Sequence, residues 1–458
     1  MSTVAGLHAG AADVDITPPM GVEMCGYGAY EKRVCTDVLD PLHARALWLE
    51  AGGTAVVIVA LDVCMVDLAL HRAVAAVLTA KAGLDETRLM LCASHTHSGP
   101  AVQPTIAWGE CDAAYVARLG NLLADVALKA RDAACPARLG ATRVRIRDVG
   151  VNREQPLIGP TDTAAQFLRV DRLDGTPLAV IYNYGAHGVV RYPFTARISA
   201  DWPGLVSACI QKELGCPALF LQGPCANINA HHMSFSRQDP ELEQKLADTR
   251  TGAVAEVFCN QAIPVLRALP TQALDRIEAR WHTIELPCAA PAREPLEAQI
   301  REYAPRADSH PYAWLRPLHT RLTTETDEER AWREARWKVD SARCQLRLLD
   351  QPPYVRRAPL HVLKLGEIVM VGWPAEVFVE TGIEVRQRSP FPLTFVSTFT
   401  NDTAGYIPTP AVYESKGRGN DFGRYPREMT HLVYGDLPYR SDVGRILVDE
   451  TMAMLNAL

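Results

Sequence analysis

The chain is 458 residues long, 48% hydrophobic and 22% charged, enough to bury one large core or two to three ordinary ones. A formal net charge of -6 gives no basic footprint for nucleic acid, and no apolar run reaches the roughly 18–20 residues of a bilayer span. A nucleic-acid partner and membrane insertion are set aside, leaving a small-molecule substrate as the expected partner and a homo-oligomer open.

Residues 1–8 carry neither the basic stretch nor the apolar core of a secretory leader. Twelve cysteines are scattered without a CxxC pair, and Cys64, Cys92 and Cys209 lie in apolar segments. That is the pattern of reduced, buried thiols, and a cytoplasmic location is expected.

In chain order, an alternating segment ends at Thr17-Pro18-Pro19, and Cys25-Gly26-Tyr27-Gly28 follows as a glycine-bracketed tyrosine. Glycines there permit a tight turn or a close approach. Residues 42–49 read as a strand, and the β-branched run 55–61 as a strand buried on both faces, ending in Asp62. A helix over 68–82 and a strand over 88–92 complete a βαβ unit. Straight after it come Ser94-His95-Thr96-His97-Ser98-Gly99-Pro100. In an extended backbone residues i and i+2 project to one side, so both imidazoles are expected in one cleft at a strand's carboxyl end.

A second helix is expected over 113–134 and a strand over 143–149, running into Asn152-Arg153. A hairpin around Asp174-Gly175 feeds Tyr184-Gly185-Ala186-His187-Gly188, again a histidine after a strand end. A helix starting within 200–204 has its proline in the tolerated first turn. The strand 218–222 then ends in a loop carrying Asn227 and Asn229. Residues 289–345 are charged, with a helical pattern over 325–347, and read as a helical insertion. Strands at 360–365 and 368–372 follow, then a helix opening at Trp373-Pro374-Ala375-Glu376. A strand over 393–399 leads into Asn401 to Tyr406, and a helix over 442–456 ends the chain. The fold class is α/β: one large mixed-sheet domain over residues 1–458, with helices on its faces and the insertion near 289–345.

Five polar side chains follow strand ends: His95, His97, His187, Glu376 and Tyr406. Imidazole and carboxylate donors suit a borderline cation such as zinc, although no pair has the HExxH spacing and a plain polar loop stands beside the metal reading. Other residues also carry two readings. Asp62 either orients a metal-bound histidine or caps the next helix; Asp201 is either an N-cap or functional. Asn227 and Asn229 either bind substrate or stabilise their own turn. His231-His232 is either a second metal site or a solvated pair.

His95-Thr96-His97-Ser98-Gly99-Pro100 resembles the HTHSGP signature of the neutral, non-lysosomal ceramidases and their bacterial relatives. The likeness continues in order through Ala11 to Pro18, Asn152-Arg153, Ala186-His187-Gly188, Pro374-Ala375-Glu376 and Asn401 to Thr409. The resemblance implies one zinc per chain held by His95, His187, Glu376 and Tyr406, with Tyr413 as the rival tyrosine. It places His97 and Arg153 at the reacting centre; Asn227, Asn229 and Tyr413 are assigned to the substrate side. Two departures stand out. Asn229 occupies the place of a serine in the family's Gly-Asp-Val-Ser-Pro-Asn loop, and the family's C-terminal β-sandwich and secretion leader are expected to be missing.

The expected activity is therefore that of a zinc-dependent amidohydrolase, cleaving a C–N bond of a small soluble substrate through a zinc-activated water. A metal-dependent esterase or lyase acting on a carbohydrate-like compound, and a non-catalytic binding protein that keeps the fold, are the alternatives.

Overall fold

The computed structural model describes residues 6–230, 237–415 and 423–458. A large mixed sheet takes strands β1 (His8–Asp15), β2 (His43–Ala51), β3 (Thr54–Leu61), β4 (Leu89–Ala93), β5 (Cys135–Arg145), β6 (Ala164–Arg172), β7 (Pro177–Tyr184) and β8 (Ala218–Gln222). Their spatial order is β8-β7-β6-β5-β1-β2-β3-β4. Neighbours are antiparallel except at the two ends, where β3 with β4 and β7 with β8 run parallel. These parallel ends are the βαβ crossovers through α1 (Leu68–Ala82) and α3 (Asp201–Leu214).

The expected mixed sheet flanked by helices is present, but helices cover only one of its faces. On β2 and β3, Ala46, Trp48, Val57 and Val59 face α1 and α2 (Ala113–Asp132). On β7 and β8, Tyr182 and Phe220 face α3 and α4 (Pro240–Ala268). The alternate residues Leu47, Leu49, Val56, Ile58, Ile181 and Leu221 pack instead on Leu363, Met370 and Phe395 of a second sheet. That sheet is β9 (Ile277–Pro287), β10 (Val355–Leu365), β11 (Ile368–Gly372) and β12 (Leu393–Ser397), in that order. The hydrophobic run of β3 is explained by this arrangement: both its faces are covered, one by helices and one by a sheet.

The insertion between β9 and β10 is helical as expected, with α5 (Arg293–Ala307), the short α6 (Leu318–Arg321) and α7 (Asp327–Leu349). Thr326 and Glu329 form a capping box at the start of α7. After β11 come α8 (Val379–Arg388), the short helices α9 (Pro410–Glu414), α10 (Arg424–Glu428) and α11 (Thr430–Tyr434), and the last helix, α12 (Val443–Asn456), on the outer face of the small sheet.

Three local expectations are corrected. Of the strand expected at 143–149 only 143–145 is strand, the end of β5, which starts at Cys135. The helix expected from Trp373 starts at Val379, because Glu376–Val377 pair in parallel with Tyr406–Ile407 as a short strand. Asp62 neither caps a helix nor touches a histidine ring. Its Oδ2 accepts from the His43 N–H and from Arg45 Nη1 at 3.0 and 3.1 Å, and Asp67 caps α1 instead. All twelve cysteines are free, and no helix among the described residues is long and apolar enough to cross a membrane.

The sheet is curled, so that β8 returns against β3 and β4. The segment Thr398 to Asn401 lies in the seam. The Thr398 N–H donates to Gln222 O at 2.8 Å, the Ala93 N–H to Phe399 O at 3.2 Å and the Asn401 N–H to Leu91 O at 2.8 Å. This closure brings the carboxyl ends of β4, β7 and β8 together.

Two histidines are buried far from those strand ends. Burial pushes the His71 imidazole down to about 4 and that of His361 to about 3, against about 6.5 unfolded. Their contribution to stability is complete above about pH 6.5 and is lost as pH falls through the lowered folded values. Melting temperature should fall between pH 7.5 and pH 4.5 by at least about 2 °C. The fall should be smaller in His71→Leu; a pH slope unchanged by that substitution would assign the acid sensitivity elsewhere.

Candidate metal centre

His95 follows β4 with its N–H donating to Val63 O, two residues past the end of β3. The Thr96 backbone bridges to Gly188, and the His187 backbone to Asn229. The His97 N–H donates to Gly188 O at 3.0 Å, and that of His187 to Ile228 O at 3.0 Å. Loops after β4, β7 and β8 thus form a small backbone ladder. Residue 188 must be glycine: a Cβ there would lie 2.9 Å from His95 O and 3.1 Å from the Thr96 Cα.

Both imidazoles of the HTH pair enter one cluster, as expected, but not through an extended backbone. His95 has φ of +62°, a left-handed conformation uncommon outside glycine. Phe399 stacks on the His95 ring at 3.9 Å. His95 Nδ1 lies 2.7 Å from Cys64 O, and His187 Nδ1 lies 2.9 Å from Ile228 O. A carbonyl can only accept, so each Nδ1 carries a proton, and each Nε2 is turned inward.

Glu376 arrives from the short strand after β11. Its Oε1 is 2.7 Å from His187 Nε2 and 3.7 Å from His95 Nε2. His95, His187 and Glu376 are all fully buried. Burial alone would raise the Glu376 carboxyl, but the adjacent His95 and His187 hold it well below the usual carboxylate range. Burial and the Arg153 charge push His187 down to about 4. His187 Nε2 faces Glu376 Oε1 across 2.7 Å, with the inward Nε2 of His95 converging beside them. A divalent cation satisfies that arrangement. The donor set of two imidazoles and one carboxylate, each Nδ1–H anchored to a backbone carbonyl, fits zinc.

Tyr406 completes the cluster. Its hydroxyl accepts from Arg153 Nη2 at 2.9 Å, and Arg153 Nη2 also donates to Ala226 O at 2.6 Å. Burial opposes the Arg153 charge, but Tyr406 and Glu376 more than restore it, and the guanidinium stays protonated. His97 lies on the other side, with Nε2 3.0 Å from His95 Nε2. Its Nδ1 is buried without a hydrogen-bond partner, unlike the Nδ1 atoms of His95 and His187. Burial and the neighbouring His95 hold His97 well below the ordinary histidine range.

Two residues assigned to the substrate make contacts within the protein. Asn227 Oδ1 accepts from the Val379 N–H and its Nδ2 donates to Glu380, both at 2.9 Å, so its amide braces the start of α8. Tyr413 points its hydroxyl at Tyr439 O, 3.4 Å away. Asn229 remains beside the centre, buried, with its Oδ1 unpaired. Asp201 is structural, with a left-handed φ of +56°. Its carboxylate accepts from the N–H groups of Val190, Arg191 and Trp202, which folds back the loop after His187. The His231-His232 pair lies outside the described residues.

Several neighbours had no readable signal. Tyr434 donates to Glu376 Oε2 at 3.1 Å, from α11, more than fifty residues downstream. Cys64 places its Sγ 3.7 Å from His95 Nδ1, and Cys64, His95 and His97 form a second group of converging donors. Burial raises that thiol well above its ordinary value, which keeps it protonated and makes it the poorer donor. The glycine-bracketed tyrosine did carry a signal. A Cβ at Gly26 would lie 2.6 Å from the His97 ring, so the close approach is to a histidine.

Residues 7–218 match the family model described as neutral/alkaline non-lysosomal ceramidase, N-terminal, a span that includes His95, His97, Arg153 and His187. No curated protein matches the chain. Among solved structures, the neutral ceramidase from Pseudomonas aeruginosa is similar at 18% identity and a TM-score of 0.67, covering 99% of this chain and 75% of that one. A ceramidase complexed with C2 is similar at the same identity and TM-score, covering 99% of this chain and 76% of that one. At this identity the two structures establish a shared fold.

The tight ladder makes one substitution informative. Gly188→Ala should destabilise the protein by about 1–3 kcal/mol, the usual cost of forcing an extra methyl into packed backbone. Urea unfolding measures this, and a wild-type midpoint in the variant would show that the Gly188–His95 contact is loose.

Proposed function

We propose that this chain, which matches the neutral/alkaline non-lysosomal ceramidase family over residues 7–218, is a metal-dependent hydrolase of an amide bond in a small N-acyl substrate. One observation carries the reading: the inward donor atoms of His95, His187 and Glu376 lie within 4.8 Å of one another, fully buried. His95, His187, Glu376 and Tyr406 would hold one zinc. When bound, the zinc supplies Lewis acidity, polarising a carbonyl and acidifying a water.

The remaining chemistry belongs to side chains. Arg153, protonated and hydrogen-bonded to Tyr406, is placed to stabilise negative charge developing on the carbonyl oxygen. His97 turns its Nε2 to the centre, 3.0 Å from His95 Nε2, and is neutral at pH 7, so it can take a proton from the attacking water and return one to the leaving amine. Tyr434, donating to Glu376 Oε2, fixes the carboxylate's orientation. Asn229 stands where the family pattern carries serine, and an amide is no nucleophile, so attack falls to water and no acyl-enzyme is expected. Twelve free cysteines support a reducing, cytoplasmic setting for the protein.

Zinc content and amine release from N-acyl substrates of short and long chain test the reading together. The wild type should hold about one zinc per chain, and His187→Ala should lose both metal and turnover. His97→Ala should keep zinc while kcat falls roughly 10²- to 10⁴-fold. Full zinc occupancy in His187→Ala, or undiminished turnover in His97→Ala, contradicts the assignment of that residue. Stoichiometric labelling by a fluorophosphonate with loss of activity would replace water with a serine nucleophile.

A further inference from the structure

The helical insertion has no role in the chemistry so far, yet it grips the loop that touches His97. At its inner end that loop meets His97 in three ways. The Gly26 backbone lies against the imidazole. The Tyr27 ring meets it edge-on at 4.9 Å. Arg33, only 2% exposed, donates through Nη1 to both Cys25 O and His97 O, at 2.9 and 2.8 Å.

At its outer end the same loop is strained. Tyr30 and Lys32 have φ of +53° and +46°, left-handed values that a side chain disfavours and that persist only where surroundings over-determine them. The insertion supplies those surroundings. Arg321 of α6, fully buried, donates through Nη2 to Glu31 O at 2.7 Å and to the Glu31 carboxylate at 3.3 Å. Arg333 of α7 donates to Ala29 O, the Leu318 N–H to Lys32 O, and Lys32 Nζ to Leu315 O. The Tyr30 hydroxyl donates to Asp340 of α7.

We propose that Arg321 is a positioning residue for the reaction: through the clamped Ala29–Arg33 segment it holds Gly26, Tyr27 and Arg33 against His97 and so fixes the imidazole that moves the proton. Arg321 touches neither the metal donors nor His97, so its effect must pass through the loop. The inference rests on the proton-transfer role given to His97 above.

Arg321→Gln suits the test, because Glu31 keeps Arg237 and Arg333 as partners. It should retain full zinc and a KM within about twofold of wild type while kcat falls about tenfold. In a His97→Ala background the same substitution should cost nothing further, since both act on one step. Tyr30→Phe, which removes one clamp bond and no charge, should show a smaller loss with the same non-additivity. Arg293→Gln, which breaks the exposed pair of α5 with Asp350, controls for general weakening of the insertion and should leave kcat unchanged. Independent of activity, the His97 ring resonances should shift in Arg321→Gln and not in Arg293→Gln. Additive losses with His97→Ala, loss of zinc, wild-type kcat or an unmoved His97 resonance would each overturn the proposal. The resonance decides the positioning role even if no amide is hydrolysed, which separates failure of this inference from failure of the hydrolase reading.

Discussion

Backbone pairing between loops, Thr96 with Gly188 and His187 with Asn229, sets where every donor atom of the centre can lie. The loops follow strands at opposite ends of the large sheet, so they can pair only because the sheet curls and β8 returns to β3 and β4. Hydrogen bonds from Thr398, Ala93 and Asn401 hold that seam closed, and Phe399 within it stacks on His95. Glycine at 188 permits the approach, and the left-handed backbone at His95 turns the ring inward. Strain of this kind is typical of positions that the surrounding structure over-determines.

Burying an ionised carboxylate is costly without a compensating charge. The protein arranges compensation from both sides. Arg153 and Tyr406 approach Glu376 from one direction and Tyr434 from another, while the imidazole protons are committed to Cys64 O and Ile228 O. What converges is a set of donor atoms, the Nε2 of His95 and of His187 and a Glu376 oxygen, close enough together to hold one metal ion. His97 differs from His95 and His187 in one respect that bears on chemistry: its Nδ1 is uncommitted. A metal-bound imidazole has its other ring nitrogen anchored, and that of His97 is not.

The insertion shows how a peripheral element can bear on such a centre without reaching it. Its ion pairs with Glu31 are buried or nearly so, where they are less screened than surface pairs. They hold a loop in a conformation its residues disfavour. The same loop presses a glycine backbone, a tyrosine ring and a guanidinium on His97, so packing of α6 and α7 is coupled to the geometry of the reacting imidazole.

The sequence by itself determined the local elements and the chemistry of the donors. The β-branched run of β3, the βαβ unit and the hairpin at Asp174-Gly175 are set by periodicity and turn residues, which act over a few positions. The order of motifs from His95 to Tyr406 named the residues that meet, because each follows a strand end. Other features depended on neighbours distant in the chain. Three strands of the second sheet were legible, but β9 was not read, and no local pattern shows that the four pair with one another and pack on the first sheet. The contacts of Asn227 with the start of α8, of Tyr406 with Arg153, of Tyr413 with Tyr439 and of Asp62 with Arg45 depend on which partner each meets in space. Tyr434, Cys64 and the insertion's hold on Glu31 carry no local pattern at all. A strand or helix is fixed by interactions within its own few turns, whereas a hydrogen bond between residues far apart in the chain exists only once the sheet has curled and its edges have met.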